Sequence, residues 1–176
     1  MNAPGMDATA ATGAARGLRI DPQIRADVQA LYADAAAALD ERRFDDWIDC
    51  FTDDCEYVVQ PRENFDRGLP LATMMLESKG MLRDRIYAIG ETLFHAPYHQ
   101  RHVVGPVRVV AAEDARLRVE AGYAVFRTKV QQPSEVFNVG RTIDTVVRDG
   151  DGLWRFASRR VVFDSELIPN SIIYPV

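Results

Sequence analysis

Residues 117–125 alternate side chain by side chain. Leu117, Val119, Ala121, Tyr123 and Val125 are separated by Arg118, Glu120 and Gly122, with the small Ala124 closing the run. A strand turns successive side chains to opposite faces, so this spacing predicts a long strand with one buried and one wet face. Gln132-Pro133 then turns the chain. Residues 135–147 read as a second long strand, in which Gly140 permits a bend or bulge. Asp149-Gly150-Asp151-Gly152 is hairpin-turn chemistry, and residues 154–163 return as a further strand. Upstream, residues 103–110 are dominated by valine, and Glu113-Asp114 reads as a turn. Half the chain is thereby committed to a meander of long strands, and the other half has to cover its apolar face.

The first half has the period to do so. Asp21-Pro22 supplies a helix cap and a first-turn proline. Ile24, Val28, Leu31, Ala35 and Leu39 follow on one face of a helix ending near Leu39. A short second helix over 44–51 carries Trp47 and Ile48, residues 55–59 read as a strand, and residues 78–87 as a third helix. The expected class is α+β, three N-terminal helices packed on one face of a curved antiparallel sheet. Residues 1–20, rich in Ala, Gly and Thr, read as a flexible N-terminal extension, and residues 21–176 as one domain.

Composition removes several functions. The net charge is −5, and Arg and Lys are dispersed among acids, which disfavours nucleic acid as a partner. No apolar run reaches the ~18 residues of a membrane span, and the first 19 residues lack the compact apolar segment of a secretory signal. The expected location is the cytoplasm, where Cys50 and Cys55 are read as reduced thiols rather than a disulfide. No Gly-x-Gly-x-x-Gly, Walker-type or Gly-x-Ser-x-Gly motif is present, so no nicotinamide, flavin or nucleotide site is written locally.

Two segments look made for contact. Residues 60–87, QPRENFDRGLPLATMMLESKGMLRDRIY, are too charged for a core strand and too apolar for a solvated loop. Mixed Arg, acid, Met and Leu suits a subunit interface, with Arg62, Asp66, Arg67 and Arg85 as its candidate charges; a long loop packed on its own domain is the alternative. The sequence closes on Ile172, Ile173, Tyr174, Pro175 and Val176. Ile172, Ile173 and Tyr174 need cover, either from their own sheet or, the favoured reading, from a neighbouring subunit.

The stretches FTDDCEYVVQPRENFDRG, ESKGMLRDRIY, RHVVGPVRV, YAVFRTK, FNVGR and VFDSELIPNSIIYPV together resemble the small (beta) subunits of aromatic-ring-hydroxylating oxygenases, the Rieske non-haem iron family. The resemblance spans nearly everything from Ile24 to Val176, and is nearest to members acting on salicylate. It implies an NTF2-like, cone-shaped barrel. It also implies a structural role beside a catalytic alpha subunit in an α3β3 oxygenase, supplied with electrons by a ferredoxin and an NAD(P)H-dependent reductase. The Rieske [2Fe–2S] cluster and mononuclear Fe(II) are expected in the alpha subunit. This chain has two cysteines five residues apart and no Cys-x-His pair, short of the two Cys and two His such a cluster requires.

His95, His99 and His102 cluster as metal ligands often do, but Pro97 interrupts any helix that would align them, so ordinary hydrogen-bonded histidines are expected. No catalytic, cofactor or metal residue is therefore assigned. The other function compatible with a small α+β cone is a stand-alone dehydratase or isomerase, with Asp54 (beside Asp53), Tyr57 and His102 as acid–base groups.

Overall fold

The computed structural model describes residues 17–113, 115–168 and 171–176. Most of the 1–20 extension and Asp114 of the expected turn lie outside the described residues. The elements run α1 (Pro22–Asp40), α2 (Phe44–Asp49), β1 (Phe51–Pro61), α3 (Arg62–Asp66), β2 (Met74–Leu76), α4 (Lys79–Glu91), β3 (Tyr98–Val104), β4 (Arg108–Glu113), β5 (Arg116–Lys129), β6 (Glu135–Arg148) and β7 (Trp154–Phe163). The sheet is ordered β2-β1-β7-β6-β5-β3, and β4 also pairs with β5. Among the described residues every pairing is antiparallel except β1 with β7. The α+β reading, with helices against a curved sheet, holds.

The alternation at 117–125 does what it promised. Leu117, Val119, Ala121, Tyr123 and Val125 are all buried, and the strand runs on to Lys129. The valine-rich run before it is two strands rather than one. Gly105-Pro106 breaks it, and Gly105 donates its N–H to the Gly122 carbonyl at 2.8 Å, so β3 and β4 lie in succession along one side of β5. Gly140 sits opposite Tyr123 on one side and Phe163 on the other. A Cβ there would lie 2.8 Å from the Phe163 Cα and closer still to the Val162 carbonyl oxygen. Only glycine admits the approach of β6 to β7 at that point.

α1 begins where its capping residues placed it. The Asp21 carboxylate accepts the Gln23 N–H at 2.7 Å, and Val28, Leu31, Tyr32, Ala35, Ala38 and Leu39 are buried. α2 stops at Asp49, short of the expected end at 51, because Phe51 starts β1 opposite Phe156 of β7. Trp47, Phe51 and Tyr57 meet edge to face at centroid distances of 5.1–6.0 Å, and Phe51 continues to Phe156. The 60–87 stretch contains structure that its charge concealed. Arg62–Asp66 forms a single extra helical turn, and Met74–Leu76 pairs with Tyr57–Val59 as an edge strand with Met74 and Leu76 buried. Ser78 caps α4 by accepting the Met81 N–H at 3.2 Å.

Candidate functional site

The interior of the cone holds a set of polar side chains that only the fold brings together. Asp40, the last residue of α1, accepts the His102 main-chain N–H with both oxygens, at 3.0 and 3.1 Å, and the His102 Nδ1–H at 2.7 Å. Both side chains are 4% exposed, while Arg101 approaches the other Asp40 oxygen at 3.4 Å from solvent. Deeper in, the Tyr32 hydroxyl donates to Asp144 and the Tyr123 hydroxyl to Asn138. Burial drives the Asp144 carboxyl above the usual range, with Arg159 opposing. Tyr57, fully buried, donates its hydroxyl to the Val176 carbonyl at 2.7 Å and accepts the Val176 N–H at 3.0 Å. Burial pushes that phenol up to about 12.

These contacts dismantle the acid–base set expected from sequence. Asp53 and Asp54 are exposed, Tyr57 is occupied by Val176, and His102 is held by Asp40. No hydrogen bond joins any two of Asp54, Tyr57 and His102. Sequence reasoning missed Asp40 because its partner lies 62 residues away. The other histidines are apart in role: His95 packs edge-on against Tyr98 and Tyr174, and His99 is exposed. Among the described residues no three His, Cys, Asp or Glu side chains gather as a metal site. Both thiols are free, and burial raises each to about 11. Two thiols with no pair of histidines gathered beside them fall short of the two Cys and two His that a Rieske cluster requires.

The tail expected at a subunit contact is covered by its own domain. Ile172, Tyr174 and Val176 are buried, and Ile173 is half-buried. Tyr174 stacks on Phe44 at 6.0 Å and meets Tyr98 edge-on at 4.9 Å. Arg85, a candidate interface charge, donates Nη2 to the carbonyls of Ile172 and Ile173 at 2.9 and 2.7 Å. Arg62 forms a solvent-exposed ion pair with Asp164 at 2.5 Å, and Arg67 one with Glu63, one turn before it, at 2.7 Å. Of the four candidate charges, only Asp66 is exposed with no ion pair among the described residues.

The same stretch also turns apolar side chains outward, among exposed charges. Of thirteen exposed large hydrophobic residues among those described, seven fall between Leu69 and Phe94: Leu69, Leu71, Met75, Met81, Tyr87, Leu93 and Phe94. They lie on β2 and α4, in the loop before β2 and in the loop between α4 and β3. Concentrated exposed apolar surface marks a surface made to be covered.

Residues 34–170 match the family described as Ring hydroxylating beta subunit. The anthranilate 1,2-dioxygenase small subunit of Burkholderia cepacia is 33% identical over 138 residues, covering 78% of this chain and 85% of that one. The terephthalate 1,2-dioxygenase terminal oxygenase component subunit beta 2 of a Comamonas species is 28% identical, covering 85% and 96%. A crystal structure described as the beta subunit of an aromatic-ring-hydroxylating dioxygenase from Novosphingobium aromaticivorans superposes with a TM-score of 0.80 at 32% identity, over 88% of this chain and 97% of that one. A family match across most of the chain, a curated relative at this identity and a shared cone fold lead to one conclusion: the chain belongs to the ring-hydroxylating beta subunits, small subunits of oxidoreductase complexes that imply an alpha-subunit partner.

Proposed function

We propose that this chain is the structural beta subunit of a terminal oxygenase that hydroxylates salicylate or a related substituted benzoate, nearest in kind to the salicylate 5-hydroxylase small subunit. It supports assembly of a Rieske alpha subunit in an α3β3 complex in the cytoplasm. The alpha subunit holds the [2Fe–2S] cluster and the mononuclear Fe(II), and a ferredoxin and an NAD(P)H-dependent reductase deliver electrons. The observation that carries the structural role is the contrast between outside and inside. Exposed apolar residues gather between Leu69 and Phe94, whereas Asp40, Tyr57 and Asp144 are each engaged within the chain. The benzoate class is supported by relatives named for anthranilate and terephthalate, both benzenecarboxylates. Salicylate carries a hydroxyl where anthranilate carries its amino group.

Co-expression with a Rieske alpha subunit, its ferredoxin and its reductase, and assay with NAD(P)H and dioxygen against salicylate, anthranilate and terephthalate, tests the reading. Salicylate should be the best substrate and give 2,5-dihydroxybenzoate, and the beta chain purified alone should be colourless, iron-free and inactive. A preference for another acid overturns the substrate. Turnover by the beta chain alone, lost in His102→Ala, would favour the stand-alone dehydratase or isomerase.

A further inference from the structure

Among the described residues, the buried polar side chains behind α1 fall into two sets that no hydrogen bond joins. One is Asp40 with His102, at the end of α1 and on β3. The other is Asp144 with Tyr32 and Arg159. Arg159, 6% exposed, lies on β7 directly opposite the buried Asp144 of β6, so its positive charge is met there. Its guanidinium rests over the rings of Phe156 and Tyr32, 4.7 and 5.3 Å from their centroids. What is not met is its hydrogen-bonding capacity, because Nε and Nη1 are buried and donate to no described residue. His102 has the complementary need. It donates Nδ1–H to the Asp40 carboxylate at 2.7 Å, which leaves Nε2 as an acceptor, and Nε2 is likewise buried without a partner.

Arg159 and His102 line one small cavity between α1 and the sheet, of about 10 Å³, with Leu39, Trp47 and Val176 among its apolar walls. That is room for about one water. Tyr123 lines it too, and its hydroxyl, by donating to Asn138, keeps an oxygen able to accept. A buried water typically has about three polar partners, and these three groups are of the right kinds. With Asp144 already balancing Arg159, and a lone pair on His102, a neutral donor and acceptor suits the cavity better than an anion.

We propose that this cavity is the site of a single ordered water that accepts from Arg159 and donates to His102 Nε2. The water joins the two sets into one network, running from the end of α1 to the middle of the sheet. Ala36, His102 and Val104 also line an open groove of about 290 Å³ between α1 and β3, so the water enters past these side chains. The site belongs to the beta chain by itself and rests on neither the substrate nor the partner proposed above.

A high-resolution crystal structure of the full beta chain, from crystals grown with bromide, is the first test. The expected result is one water-sized density peak without anomalous signal, within about 2.7–3.2 Å of both His102 Nε2 and an Arg159 nitrogen. An anomalous peak there identifies a halide and overturns the water. An empty cavity, or a water touching only one of the two side chains, overturns it as well. In solution, nitrogen NMR of the His102 imidazole should show Nδ1 protonated and Nε2 unprotonated but hydrogen-bonded; a proton on Nε2 contradicts the bridge. H102F keeps a ring and removes the acceptor, so the density peak should disappear, and a water retained beside Arg159 in that variant counts against the proposal. If H102F does not fold, the two wild-type measurements still decide.

Discussion

Tyr57 holds both main-chain polar groups of Val176 on one hydroxyl, in a place no water reaches. Tyr57→Phe keeps the ring and its packing but strands a buried N–H and a buried carbonyl. The expected cost is about 1–3 kcal/mol, read as a lower denaturant midpoint at unchanged slope. Cys55, 0% exposed, gives a second test through pH. Its thiol titrates at about 11 folded against 9.0 unfolded, because burial disfavours the thiolate. The folded state keeps its proton after the unfolded state has released one, so the contribution is complete below pH 9 and is lost as pH rises towards 11. Unfolding free energy should fall by about 2–3 kcal/mol more across that window in the wild type than in Cys55→Ala. Equal slopes would show that the thiol is not sequestered. Little of this was readable beforehand. Residue types were visible, but Asp40 with His102, Tyr32 with Asp144 and Tyr57 with Val176 are separated by 62, 112 and 119 residues, and no local pattern encodes such distances.

Elements were far more legible than pairings. The cap at Asp21, the alternation at 117–125 and the Asp149–Gly152 turn act within a few residues, and each forms as its chemistry requires. What failed did so where a distant partner decides: Phe51 leaves the helix pattern because β7 offers it Phe156, and the Met74–Leu76 strand exists because β1 has an open edge. Gly140 joins both kinds of information. Gly140→Ala puts a methyl group against Val162 and Phe163, and should destabilise by about 1–3 kcal/mol or shift the β6–β7 register. Thermal melts with backbone amide shifts around Phe163 check it. Removing residues 172–176 takes out Ile172, Tyr174 and Val176, all buried in their own domain. At ~1.5–3 kcal/mol for each apolar side chain, the loss approaches the ~5–15 kcal/mol by which whole domains are stable. The truncated chain should melt far below the full one even as a monomer. An unchanged monomer melt would return the tail to the subunit contact expected from sequence.

For the molecule as a whole, the exposed residues between Leu69 and Phe94 should govern association without governing folding. Leu71 and Phe94 are 68% and 104% exposed, so Leu71→Asp and Phe94→Asp should leave the isolated chain's stability within about 0.5 kcal/mol. Burying either aspartate at an interface is costly, so complexes with the alpha subunit should be lost on size exclusion. Leu153→Asp, at 60% exposure on the β6–β7 hairpin, is the control and should assemble normally. Both variants assembling normally would place the alpha-subunit contact elsewhere. The parallel pairing of β1 with β7 has a consequence in time. Phe51–Pro61 emerges from the ribosome about a hundred residues before the strand it needs, and Tyr57 waits longer still for Val176. At synthesis rates of ~5–20 residues per second, the middle of the sheet stands open for several seconds with Tyr57, Val58 and Val59 uncovered. Until β7 has been made, a newborn chain of this kind is therefore exposed to aggregation along the open side of β1.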